Sequence, residues 1–262
     1  MWQNNKKVLS ENYFIHTYDI DKNQIASVQS ICRFLLDSAG IHAYKLGFAV
    51  PQMFKMNLTW VLSRFSVSMK AYPEWRNTIT VQTWPSGLDK LFAMRDFLIF
   101  DENRDVIGTA NSAWLVIDVE SRRPVRPQVI FKDDRTIYNT HISDKKLIKL
   151  PGVRSGKDTV SGQRRDFTVR FSDLDMNEHV TSISYIDWIL ETIPEEIRNS
   201  RIIKELEINY LSESKYGDSV TALSEQDTGI QESDNLRTFN HSLFKSKGPE
   251  AARARTSWVK TA

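Results

Sequence analysis

Short runs of alternating apolar and polar residues dominate this chain, and two stretches break the alternation with helical spacing. The alternation predicts strands over residues 12–19, 58–69, 78–83, 92–100 and 106–118, and again over 165–171, 201–211, 219–226, 236–245 and 254–260. Between the first two strands, Val28, Ile31, Phe34, Leu35, Ala39, His42 and Leu46 recur at helical intervals. This predicts a helix over 25–46, with Gly47 as its stop and Gly40 as a weak interior point where a bend is expected. In the second half Val180, Ile183, Ile186, Ile189 and Leu190 repeat the helical spacing, with Tyr185 and Trp188 nearby. The polar cluster Ser172, Asp173, Asp175 and Asn177 comes just before. Asn177 is therefore expected near the helix N-terminus and His179 within the first turn, where unpaired backbone N–H groups can hold an oxyanion.

The order strand, helix, set of strands thus occurs twice, which points to an internal duplication. Asp19-Ile20-Asp21-Lys22-Asn23 is echoed by Asp173-Leu174-Asp175-Met176-Asn177, and Ala113-Trp114-Leu115-Val116 by Ser257-Trp258-Val259-Lys260. Counted from the first pair of strings, Ile25 stands where His179 stands, so chemistry is expected in the second half. Residues 121–162 lack sustained periodicity. They hold Pro124, Pro127 and Pro151 together with Arg122, Arg123, Arg126, Lys132, Arg135, Lys145, Lys146 and Lys149, the composition of a connection. The expected domains are 1–125, a connection over 126–162, and 163–262.

Composition narrows the function. Among 262 residues, 35 Lys and Arg stand against 33 Asp and Glu, a balance that argues against a non-specific nucleic-acid binder. The single cysteine, Cys32, rules out an internal disulfide framework and lies on an apolar helical face, where a buried structural thiol is expected. A reducing cytoplasm is the expected compartment. The first residues lack the apolar core of a signal peptide, and no run is long enough for a membrane helix, so no integral membrane insertion is expected. No serine sits in a nucleophile elbow, no glycine loop suits a phosphate, and His16, His42, His141 and His241 lack metal-ligand spacing.

The remaining chemistry gathers at Asp175, Asn177 and His179. A neutral imidazole exchanges protons near neutral pH, a carboxylate holds and activates water, and an amide directs a carbonyl or water without adding charge. If the segment is extended, the three alternating side chains face one cleft; if it is helical, they diverge.

The chain resembles the acyl-acyl-carrier-protein thioesterase family of plants and bacteria over nearly its full length. The first half carries Trp60-Val61-Leu62-Ser63-Arg64, Tyr72-Pro73, Thr83-Trp84-Pro85, Arg95-Asp96-Phe97, Ala110 through Trp114 and Ser121-Arg122-Arg123-Pro124. The second carries Asp175 through Val180, Tyr185-Ile186-Asp187-Trp188 and Asn209-Tyr210-Leu211-Ser212-Glu213. The resemblance implies an α+β double hotdog, two tandem curved antiparallel sheets each wrapped around a long helix. It also implies hydrolysis, within fatty acid biosynthesis, of the thioester between a fatty acyl chain and acyl-carrier protein. It implies catalytic positions at Asp175, Asn177, His179 and a glutamate on a later strand, Glu213, with the first hotdog contributing acyl-chain surface. No cofactor is implied beyond the phosphopantetheine arm that the substrate itself carries.

Plant members usually follow that glutamate with cysteine; here Ser214 follows, which argues against an obligatory cysteine nucleophile. Glu213 is the preferred base, His179 a positioner of water or proton carrier, Asn177 an orienting group, and Asp175 an electrostatic orienter, an alternative base or a nucleophile. Backbone N–H groups around Val180 are expected to hold the oxyanion. An acyl-CoA thioesterase and a noncatalytic acyl-chain-binding hotdog are the alternative readings. Basic residues Arg164, Arg165 and Arg170 are candidates for meeting the acidic carrier, while Arg64 and Arg95 are expected to pair acids at a sheet edge or meet the carrier. A homodimer is compatible with the sequence.

Overall fold

The computed structural model describes residues 7–131, 137–138, 140–142, 146–153, 163–227 and 235–260. Much of the basic connection, including Lys132, Arg135, Lys145 and 154–162, lies outside the described residues. The chain forms two compact units, Met1–Leu147 and Ile148–Ala262.

The first unit runs β1 (Leu9–Phe14), α1 (Val28–Lys45), α2 (Val50–Phe54), β2 (Leu58–Met69), β3 (Thr78–Asp89), β4 (Phe92–Phe100), β5 (Val106–Asp118) and β6 (Pro124–Val125). Its antiparallel strands lie in the order β1-β3-β4-β5-β2, with β6 paired to β5. The second unit runs β7 (Gln163–Thr168), α3 (Ser182–Leu190), α4 (Glu195–Ser200), β8 (Arg201–Tyr210), β9 (Ser219–Gln226), β10 (Leu236–Lys245) and β11 (Glu250–Lys260). Its order is β7-β9-β10-β11-β8, again antiparallel throughout. Strand for strand the two orders are the same, so the duplication holds at the level of topology and each unit is a hotdog. The tryptophan echo holds as well: Trp114 Nε1 donates to Ser112 Oγ at 2.8 Å, and Trp258 Nε1 to Thr256 Oγ1 at 2.9 Å.

In the first unit α1 buries Val28, Ile31, Cys32, Leu35, Ala39 and His42 and packs on β3 and β1. Ile79, Val81, Phe97 and Ile99 are fully buried on the sheet. Each such side chain contributes about 1.5–3 kcal/mol, which outweighs the cost of about 1 kcal/mol for a mid-helix glycine. The helix accordingly runs unbroken through Gly40. It ends at a left-handed Gly47 (φ 83°), with Phe48 N donating to Ala43 O and Gly47 N to Tyr44 O, the paired bonds of a Schellman cap.

Strand β3 continues past Thr83 to Asp89 because its register against β4 shifts between Pro85 and Gly87, where a residue without an N–H is tolerated. In the second unit the shorter α3 buries Tyr185, Ile186, Trp188, Ile189 and Leu190 against β9 and β10. Trp188 stacks on Phe167 of β7 with ring centroids 5.7 Å apart.

His241 on β10 is wholly buried, with Nε2 on Thr256 Oγ1 at 2.9 Å. Burial pushes its pKa down to about 3. The folded state therefore refuses a proton that the unfolded chain accepts below about pH 6.5, so stability is full above that value and falls on acidification toward pH 3. Urea unfolding should show a loss of about 2 kcal/mol from this residue between pH 7 and pH 5, and His241→Leu should flatten that part of the pH dependence.

Candidate functional site

Strand β7 hands the chain to a 3₁₀ turn, Phe171–Asp173, and α3 begins only at Ser182. Thr181 is its N-cap, with its hydroxyl accepting from Ser184 N at 3.2 Å. His179 thus lies in the loop before the helix rather than in the first turn. Buried Asp173 closes the turn by accepting from Arg170 N at 2.7 Å and from the Arg170 guanidinium.

Asp175 braces the loop that follows. Its Oδ1 accepts from Asn177 N at 2.8 Å and His179 N at 3.2 Å, while its own N–H donates to His179 O at 2.7 Å. Glu178 at the tip adopts a left-handed conformation (φ 61°). The amides of Glu178, Val180 and Thr181 donate to Asp175 O, Ser214 O and Asp173 O. The backbone N–H of Val180, expected to hold an oxyanion, is therefore engaged. The side-chain amide of Asn177 reaches Asp175 Oδ2 only at 3.5 Å and is exposed to solvent.

His179 Nε2 lies 3.3 Å from Glu213 Oε2, with the two side chains 22% and 36% exposed. The pair is thus sheltered yet reachable by a small molecule. Glu213 is not on a strand, since β8 ends at Tyr210; it sits in the connection to β9. The Val180 N to Ser214 O bond of 2.9 Å ties that connection to the loop, and Lys245 Nζ donates to Glu213 O at 2.8 Å. Ser214, by contrast, is wholly buried, and its hydroxyl makes no hydrogen bond of normal geometry among the described residues. Tyr185 lies beside it, with a hydroxyl pKa raised by burial.

The first unit holds the same loop with different side chains. Asn23 N donates to Asp21 Oδ1 at 2.8 Å, Asp21 N to Ile25 O at 2.8 Å, and Gln24 at the tip is left-handed (φ 64°). Ser27 caps α1 as Thr181 caps α3. Ala26 N donates to Pro73 O at 2.8 Å as Val180 N does to Ser214 O, which aligns half-buried Tyr72 with Glu213. Ile25 and Tyr72 thus occupy the positions of His179 and Glu213. The Tyr72 correspondence escaped the sequence comparison because the two connections differ in their distance from the loop.

The first unit also contains a cavity of about 340 Å³ between the C-terminal half of α1, α2 and the sheet. Its wall is apolar apart from Arg95. Arg95 is buried rather than at a sheet edge, and no acid pairs with it among the described residues; Arg64 donates to Leu147 O and covers the Phe92 ring. Of the basic residues beside the second unit, Arg164 pairs Asp166 and Arg170 pairs Asp173, which leaves less free positive charge than their number suggests. Among the described residues no group of three or more His, Cys, Asp and Glu is placed to hold a metal ion, and no helix is long and apolar enough to cross a membrane.

Residues 6–133 match the family model of the acyl-ACP thioesterase N-terminal domain, and residues 156–260 that of the C-terminal domain. The chain is 27% identical to an oleoyl-acyl carrier protein thioesterase, chloroplastic, of Coriandrum sativum, over 95% of this chain and 76% of that protein. It is 31% identical to a palmitoyl-acyl carrier protein thioesterase, chloroplastic, of Gossypium hirsutum, over 96% of this chain and 63% of that protein, so it spans under two thirds of that relative. Among solved structures it is similar to the 12:0-ACP thioesterase of Umbellularia californica, with a TM-score of 0.84, 26% identity and coverage of 97% and 94% of the two chains. It is also similar to an acyl-ACP thioesterase of Bacteroides thetaiotaomicron, with a TM-score of 0.82, 25% identity and coverage of 96% and 98%.

Because the same carboxylate brace occurs twice, its contribution can be measured apart from chemistry. Asp175→Ala and Asp21→Ala should each lower unfolding stability by about 1 kcal/mol, whereas the Asn variants, which keep an acceptor oxygen, should lose less than half as much. Urea titration of the four variants checks this. A large loss confined to one unit would contradict the equivalence.

Proposed function

The chain belongs to the acyl-ACP thioesterase family, and we propose that it performs the family's hydrolysis of fatty acyl-ACP thioesters by attack of a water activated at Glu213. Hydrolysis to free fatty acid and carrier protein is the activity; the roles of single residues are our reading, and the contact between His179 Nε2 and Glu213 Oε2 carries it. Glu213 takes a proton from water as the oxygen attacks the thioester carbonyl carbon. His179 holds the carboxylate in place and helps carry the proton onward. When the C–S bond breaks, the electron pair leaves on the pantetheine sulfur, and the proton taken from water completes the thiol. The Asn177 side-chain amide, only loosely held by Asp175, is the donor for the developing oxyanion. Asp175, whose Oδ1 already accepts two backbone amides, positions this network and does not act as base or nucleophile.

The first unit receives the acyl chain in its apolar cavity, and acyl-carrier protein is the partner that delivers it. A cytoplasmic location belongs to the same reading, supported by a sole cysteine that is buried and in no disulfide. The chloroplastic labels are those of the plant relatives.

Glu213→Gln and Glu213→Ala should slow single-turnover hydrolysis by about 10²–10⁴-fold with folding intact, while Ser214→Ala should stay within about threefold of the parent. Near-normal chemistry in the folded Glu213 variants would remove it as the base, and a trapped acyl-serine would replace water attack with covalent catalysis. Ala43→Leu, which narrows the cavity, should lower kcat/KM for long relative to short acyl chains by roughly fourfold for each methylene excluded. Matched panels of acyl-ACP substrates measure that ratio.

A further inference from the structure

Arg95 on β4 is only 9% exposed, and its guanidinium faces the cavity of the first unit. The rest of the wall, including Leu36, Leu46, Phe48, Val50, Trp60 and Phe131, is apolar. The two indole N–H groups in the wall are spent inside the protein, Trp60 on Phe48 O and Trp114 on Ser112 Oγ. Among the described residues Arg95 is thus the one charged group that lines this cavity.

Its hydrogen-bond partners within the protein are an imidazole and a hydroxyl, not a carboxylate. Nη1 lies 3.1 Å from His42 Nδ1 and 3.1 Å from Thr83 Oγ1, and the Thr83 hydroxyl donates to Asp96 O. The adjacent carboxylate of Asp96 is turned to Ser86 Oγ, Ile142 N and His141. Among the described residues nothing bonds to Nε or Nη2 of Arg95. Burial lowers its pKa to about 10, which leaves it a cation at neutral pH. A guanidinium with one edge unpaired in an apolar chamber is complementary to a carboxylate, which accepts two of its N–H groups at once.

We propose that this cavity binds a free fatty acid, with its carboxylate on Arg95 and its hydrocarbon chain against the apolar walls. That the fatty acid is the enzyme's own product rests on the thioesterase reading. A thioester carries no charge for Arg95, and hydrolysis unmasks one, so the released acid competes with the next acyl chain for the same space.

Calorimetric titration of the purified protein at pH 8 with dodecanoate and with dodecanol, both below their aggregation limits, tests the site. Dodecanoate should bind about tenfold or more tightly than the alcohol, as expected for a desolvated charge-assisted pair. Arg95→Met, with folding checked by thermal melting, should bind the alcohol as the parent does and lose the preference for the acid; Arg95→Lys should keep part of it. Equal binding of acid and alcohol by the parent protein, which needs no variant, would overturn the proposal. So would an undiminished acid preference in folded Arg95→Met. Binding is read without turnover, so an inactive protein that prefers dodecanoate refutes the thioesterase reading alone, and an active one without the preference refutes this site alone.

Discussion

A short aspartate carboxylate that accepts backbone amides within its own loop is the interaction on which the site depends. Asp175 fixes the turn between the 3₁₀ segment and α3, and with it the place where His179 leaves the backbone. Without that brace, the loop amides of Asn177 and His179 would need other acceptors, and the imidazole would have no fixed approach to Glu213. The bond from Val180 N to Ser214 O then joins the loop to the connection that carries Glu213, so the dyad is positioned by backbone contacts on both sides.

Most strand limits were legible in the sequence because alternation is a strong signal where one face is buried. Residues 58–69, 92–100, 106–118, 219–226 and 236–245 coincide with observed strands. Beyond Thr83 the signal failed: Pro85, Ser86 and Gly87 look like breakers, yet a register shift absorbs them. The start of α3 was placed too early because apolar spacing already begins at Val180. The decisive local feature was Thr181, a capping residue three positions before Ser184.

Asp175, Asn177, His179 and Glu213 were all named from the sequence, but spacing alone did not assign their work. For Asp175 the hydrogen bonds show a structural task that spacing did not reveal: both amides that its Oδ1 holds belong to the backbone of its own loop. The Arg95 environment was not legible at all. Its neighbours His42, Thr83 and the cavity walls are far apart in sequence, and an arginine in an alternating run reads as an edge residue until the helix above it is in place.

The paired loops also bear on how a duplicated protein comes to specialise. Ile25 and Tyr72 sit on a backbone that keeps the same turn, left-handed tip, cap and cross-connection as the loop carrying His179 and Glu213. The difference between the two copies of the loop is therefore only side-chain deep. The same main-chain turn accommodates the apolar and aromatic Ile25 and Tyr72 in one half and the polar His179 and Glu213 in the other, so its architecture is independent of the side chains it presents.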